Sequence, residues 1–192
     1  MGRKLIPLGN GECEYVEKRS SFLGHLRHVE SEEEARAFIA EMKKKYHDAR
    51  HNCWCYICGG AERYSDDGEP QGTAGLPMLE VFRKEGVTDF VCVVTRYFGG
   101  ILLGAGGLLR AYTKTAKDAL DSAGITEVKP FVKAHLSCPY RFADEIKNDV
   151  SLAGGSFEAV YGGNVEFEIS LPEEQIEKFS EKIKNKKMNL EF

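Results

Sequence analysis

No run of 18 apolar residues occurs in the 192-residue chain, so no membrane-crossing helix is expected. The first fifteen residues contain one basic pair and no apolar core segment, which does not fit a secretory signal. Basic surplus is also missing: the net charge is −4 and the pI about 5.8, unlike a globally basic nucleic-acid binder, although a local basic groove is compatible with this balance. No GxSxG elbow, Ser-His-Asp order or GxxxxGK[ST] phosphate loop is present, and the glycine spacing in GAGG is wrong for a dinucleotide fingerprint. Low-complexity stretches and tandem repeats are absent. What remains is an ordinary folded composition, 42% hydrophobic and 29% charged. Cytosolic placement follows as the default expectation. The six cysteines then read as free thiols rather than a disulfide framework.

Hydrophobic period and capping residues divide the chain. ECEYVEKR and SFLGHLRHV read as adjacent antiparallel strands separated at Ser20-Ser21. A helix follows from Ser31, a natural N-cap whose capping box Glu34 completes; Ala35, Phe38, Ile39, Met42 and Tyr46 share its face. HNCWCYICGG reads as a strand, and residues 63–75 as a polar, glycine-rich loop. Residues 76–85 read as a helix with Thr73 as its cap and Pro77 in its first turn. Residues 89–97 form an apolar, β-branched strand, and a further helix is expected from about Leu108 to Ala123, stopping at Gly124.

The texture changes near residue 130. Strand, helix, a hairpin turning at Gly162 to Asn164, a helix begun by Pro172 and a short last strand, MNLEF, give the order βαββαβ in about sixty residues, the ferredoxin-like arrangement. The expected organisation is therefore α+β in two domains, residues 1–130 and 131–192.

Three groups of residues carry potential chemistry. The first is the loop Ser65 to Gly75. Asp66, Asp67 and Glu69 put three carboxylates within four positions, suited to Mg²⁺ or acid–base work, or simply to a tight turn. Thr73 and the small residues after it lead into a helix N-terminus, which suits an anion. The second group is Arg96, Tyr97 and Arg110 around Gly99, Gly100, Gly104, Gly106 and Gly107. Five glycines in nine positions indicate unusual backbone angles or a close approach by a ligand or another backbone. Arg96, at a strand end, can reach a phosphate, or pair with one of the loop acids. Tyr97 or Phe98 could stack on a base. The third group is His51, Cys53, Cys55 and Cys58. Strand geometry puts the first three on one face and Cys58 on the other, and no second CxxC or HxxxH completes a zinc set, so no metal is expected.

HNCWCY, YSDDGEPQGTAGLPMLEVF and VVTRYFGGILLGAGGLLRAY resemble the signature of the YigZ/IMPACT family over most of residues 15–125, and the C-terminal part resembles the small domain of its bacterial two-domain members. Cys55, where a small residue such as alanine is expected, and Cys58 depart from that pattern. The resemblance implies an N-terminal two-layer α/β domain of the type shared with translation-related domains and small-molecule kinases. It also implies a C-terminal ferredoxin-like domain similar to those of elongation factor G. Eukaryotic IMPACT is a translation regulator. For a bacterial member the implied behaviour is binding of RNA, a nucleotide, or a ribosome or translation factor, without a cofactor. The candidate ligand-binding residues of the two loops, all kept from that family-like pattern, are His51, Asp66, Asp67, Glu69, Thr73, Arg96, Tyr97, Gly99, Gly100, Gly104, Gly106, Gly107 and Arg110. Two other readings stand beside this one. The SDDGEP carboxylates could serve a small-molecule phosphotransferase or hydrolase, or the chain could be an interaction module docking on ribosomes or factors. The oligomeric state is not legible.

Overall fold

The computed structural model describes residues 4–186, 188, 190 and 191. The chain divides into two compact units, Met1–Val128 and Lys129–Phe192.

The first unit is built on a five-stranded antiparallel sheet. After a short strand β1 (Lys4–Pro7) come β2 (Gly11–Glu17), β3 (Ser20–His28), helix α1 (Glu32–Lys45), β4 (His51–Cys58), β5 (Ala61–Ser65), helix α2 (Gly75–Glu85), β6 (Phe90–Tyr97), helix α3 (Gly104–Ala123) and β7 (Ile125–Val128). The sheet order is β2-β3-β6-β4-β5, with β1 and β7 forming a separate two-stranded ribbon. β6 sits in the middle, and both of its faces are covered. Phe90, Cys92 and Val94 point into a core shared with α2 and α3. Val91 and Val93 point into a second core against α1. That explains why β6 reads as a continuous apolar run rather than an alternating one. Helix α1 thus adds a third layer to the two that the family resemblance implies.

α1 forms as its caps dictate. Ser31 Oγ accepts from the Glu34 amide at 3.2 Å, and Glu34 Oε2 accepts from the Glu30 amide at 2.8 Å. Ala35, Phe38, Ile39 and Met42 are its buried stripe. Other boundaries differ from expectation. The β2–β3 hairpin turns at Lys18-Arg19, both with positive φ, and Ser20-Ser21 already belong to β3. A two-residue hairpin loop favours such angles because they match the strand twist. Residues 61–65, in part read as loop, form edge strand β5, whose charged side chains hide the strand signal. β1 and β7 escape local reading because they pair across 120 residues of sequence. α3 starts at Gly104, four residues early, because glycine is a poor advertisement for a helix.

The second unit runs β8 (Phe131–Cys138), α4 (Tyr140–Leu152), β9 (Ser156–Tyr161), β10 (Val165–Pro172), α5 (Glu173–Asn185) and β11 (Leu190–Glu191). Its sheet order is β11-β8-β10-β9, antiparallel throughout, the ferredoxin-like βαββαβ order. Leu136, Phe167, Ile169, Ile146 and Ile183 are among its core residues. Pro172 ends β10 and stands at the N-cap position of α5. Of the last strand expected over 188–192, Asn189 and Phe192 lie outside the described residues.

Candidate functional site

The acidic loop and the arginine of the glycine-rich segment meet. Loop residues 66–73 pass over the end of β6, where Glu69 Oε1 accepts from Arg96 Nη1 at 2.7 Å and from the Tyr112 hydroxyl of α3 at 2.9 Å. This cluster is buried: the Glu69 side chain is 3% exposed and that of Arg96 8%. Tyr112 packs edge-on against Phe22 at 5.2 Å, and the Arg96 guanidinium lies 5.5 Å from the Phe22 ring and 5.6 Å from that of Phe98. Burial raises the Tyr112 hydroxyl far above its usual range, with nearby Cys53 and Glu69 adding to the effect. Tyr112 therefore stays a neutral donor to a carboxylate. Arg96 Nε is buried and has no hydrogen-bond partner among the described residues.

The other loop acids are equally engaged. Asp66 caps α2 from nine residues upstream of the helix. Its Oδ1 accepts from the amides of Ala74 and Gly75, at 3.0 and 2.8 Å, and its Oδ2 from Gly72 at 2.8 Å. Three otherwise orphaned N–H groups are satisfied, with the negative charge at the favourable end of the dipole. Thr73 is not the cap: its hydroxyl donates to the Pro70 carbonyl at 2.6 Å, a turn bond within the loop. Asp67, at φ +44°, accepts from the Asn52 amide at 2.7 Å and pairs with Lys43 of α1 at 2.6 Å. His51 Nδ1 lies 2.8 Å from the Asp67 carbonyl.

β6 sends Arg96 and Tyr97 to opposite faces, so the two do not share one surface. Tyr97 donates to Asp48, beyond α1, at 2.8 Å. Cys53 and Cys55 face the α2–α3 core and Cys58 the α1 core, as alternation along the strand requires. Cys53 Sγ donates to the Asp66 carbonyl at 3.0 Å, and burial raises its thiol. Cys55 is fully enclosed opposite Cys92, and burial raises it as well. These are inert thiols. Among the described residues, no group of three or more His, Cys, Asp or Glu is placed to hold a metal ion.

The glycines have separate tasks. A Cβ on Gly99 would fall 2.0 Å from the Arg19 carbonyl carbon, so this position permits backbone contact with the β2–β3 turn. Gly100 and Gly104 have φ of +86° and +72°. Gly107 packs against Leu103, whereas a Cβ at Gly106 would meet, among the described side chains, Arg110 Nη1 at 3.8 Å. Helix α3 begins without a side-chain cap, and Arg110 is exposed with no ion pair among the described residues. Phe98, Ile101 and Leu102 stand out from the same turn, Leu102 at 81% exposure. Sequence reading misses Tyr112 as the partner of Glu69. The available signal was a hydroxyl on the apolar stripe of α3, since a buried tyrosine needs an acceptor. It also misses Lys43 and Asn52, which nothing local ties to Asp67.

A sheet-based α+β unit whose loop is fixed by a buried carboxylate, arginine and tyrosine, followed by a βαββαβ unit, is the architecture of a two-unit protein headed by an Impact N-terminal domain. The model of that domain matches residues 18–120. The chain belongs to the IMPACT family. It is 43% identical over 175 residues to the IMPACT family member YvyE of Bacillus subtilis (strain 168), covering 89% of this chain and 81% of that protein. Identity to the IMPACT family member YigZ of Escherichia coli (strain K12) is 35% over 172 residues, covering 86% and 84%. A crystal structure of a hypothetical protein superposes with a TM-score of 0.68 at 32% identity, covering all of this chain and 97% of that one.

Proposed function

We propose that the chain is a translation-related regulator that works by binding, and that its N-terminal unit takes an anionic group, such as an RNA phosphate, at the start of α3. Family membership supports the translation setting. The observation that carries the binding reading is the contrast at α3. Among the described residues its first turn has no side-chain cap, and the side chain nearest to a Cβ at Gly106 is the Arg110 guanidinium, which forms no ion pair there. Free N–H groups, the positive end of a helix dipole and a cation converge there. Phe98 and Leu102 flank the turn with exposed apolar surface.

Arg96, by contrast, serves as an internal partner of Glu69. Asp66, Asp67 and Glu69 are each held by two or more hydrogen bonds or ion pairs, which argues against their use as acids, bases or metal ligands for turnover. The test is fluorescence anisotropy with a labelled single-stranded RNA across a salt series. Arg110→Ala should weaken binding several-fold and reduce the salt slope by about 1. Equal affinity and slope in wild type and Arg110→Ala would overturn the reading.

A further inference from the structure

The sheet of the second unit has two unlike faces. One carries Leu136, Phe167 and Ile169 against α4 and α5. The other is polar, and the strand register arranges it in rows. Glu191, His135, Glu168 and Glu158 lie side by side across all four strands. The next row is Lys133, Ser170 and Ser156. Glu158, Glu168 and Glu191 are exposed and form no hydrogen bond or ion pair among the described residues, while His135 lies 3.7 Å from a fourth acid, Glu166. Glu168 stands directly opposite Glu158, an arrangement that destabilises a sheet. The fold does not require it, since uncharged residues occupy the equivalent places in the next row.

A depression of about 790 Å³ lies over these residues, lined by Lys133, His135, Glu158, Glu168 and Glu191 among others. β9 borders it as an edge strand, with one side of its backbone unpaired within the sheet. The apolar Val160, 70% exposed, follows Glu158 by two residues on the same face. From charge complementarity and shape, we infer that this face docks an extended, lysine- or arginine-rich segment of a protein partner. Three exposed carboxylates against one lysine repel a nucleic-acid backbone and attract a basic chain. An extended chain beside β9 meets both the free edge and the glutamate row. The inference does not depend on the anion reading for α3.

The test uses the full chain and a fluorescein-labelled peptide of alternating lysine and alanine, with an equally long glutamate–alanine peptide as the opposite-charge probe. Wild type should bind the lysine peptide and not the glutamate peptide. Glu158→Gln with Glu168→Gln should weaken lysine-peptide binding at least fivefold without lowering the melting temperature. Glu177→Gln with Glu181→Gln, the same charge change on α5, should leave affinity within twofold. Equal losses in the two double variants would reduce the effect to net charge and overturn the inference. So would unchanged affinity in Glu158→Gln with Glu168→Gln, or preference of this face for RNA.

Discussion

The acidic loop of residues 65–73 and the glycine turn of residues 98–107 look equally suited to a ligand, yet the fold treats them in opposite ways. In the loop, every acid already has its partners. Asp66 holds the loop amide of Gly72 and the amides of Ala74 and Gly75 at the α2 start, Asp67 holds β4 and α1, and Glu69 holds β6 and α3. In the turn, the helix start lacks a cap, the nearby arginine lacks an ion pair among the described residues, and apolar side chains face solvent. Residue type gives capacity; the partners already present decide what capacity is left. The carboxylates spend theirs on the fold, whereas the turn retains its N–H groups.

The largest effect that can break this comparison is expected from Arg96→Ala. It strands the buried Glu69 carboxylate and should cost about 3–5 kcal/mol, read from urea unfolding. A loss below about 1 kcal/mol, with weakened RNA binding instead, would move Arg96 from the internal cluster to the ligand surface. Tyr112→Phe should cost less, about 1–3 kcal/mol, because one of two donors to Glu69 is lost. This variant also carries a pH signature. The folded-state pKa of Tyr112 is raised, so the folded protein holds a proton that the unfolded chain releases above pH 10 or so. Stability from this group is complete below that pH and declines as pH rises above it. Wild type should therefore lose stability more steeply than Tyr112→Phe in alkaline solution, and parallel curves would contradict the burial argument. The smallest effect is expected in the turn. Among the described residues the side-chain atom nearest to the Cβ that Gly106→Ala adds is Arg110 Nη1, at an ordinary contact distance of 3.8 Å, and alanine favours a helix by up to about 1 kcal/mol. The melting temperature should rise slightly, and a clear fall would show that the glycine turn is as internally committed as the loop.

Local signals carried much of the fold. Ser31 and Glu34 mark α1, the stripe Phe38, Ile39 and Met42 gives its buried face, and the run from Phe90 to Val94 marks the central strand. The order of the last sixty residues follows from turns and helix stops. Other features rest on contacts between residues distant in sequence. β1 and β7 find each other across the whole first unit, and Asp66 caps a helix that begins nine residues later. For the candidate site, the sequence put the acids and Arg96 into one domain, and Glu69 does meet Arg96. That the meeting is buried, and joined by Tyr112, depends on how α3 packs over Phe22, which spacing alone does not reveal. Arg96 and Tyr97, adjacent in sequence, separate for the simplest reason: neighbours on a strand face opposite ways.

The β1–β7 ribbon has a mechanical consequence. Lys4 lies opposite Val128, so the first unit is entered and left through one narrow doorway. Tension applied at those two residues peels the ribbon open one rung after another, instead of shearing all four rungs together. Leu5 and Lys4 are also tied to Thr88 and Asp89, so the ribbon hands part of that load to the segment that leads into β6. The same doorway makes residues 4–128 a cassette that short linkers can graft into a surface loop of a host protein.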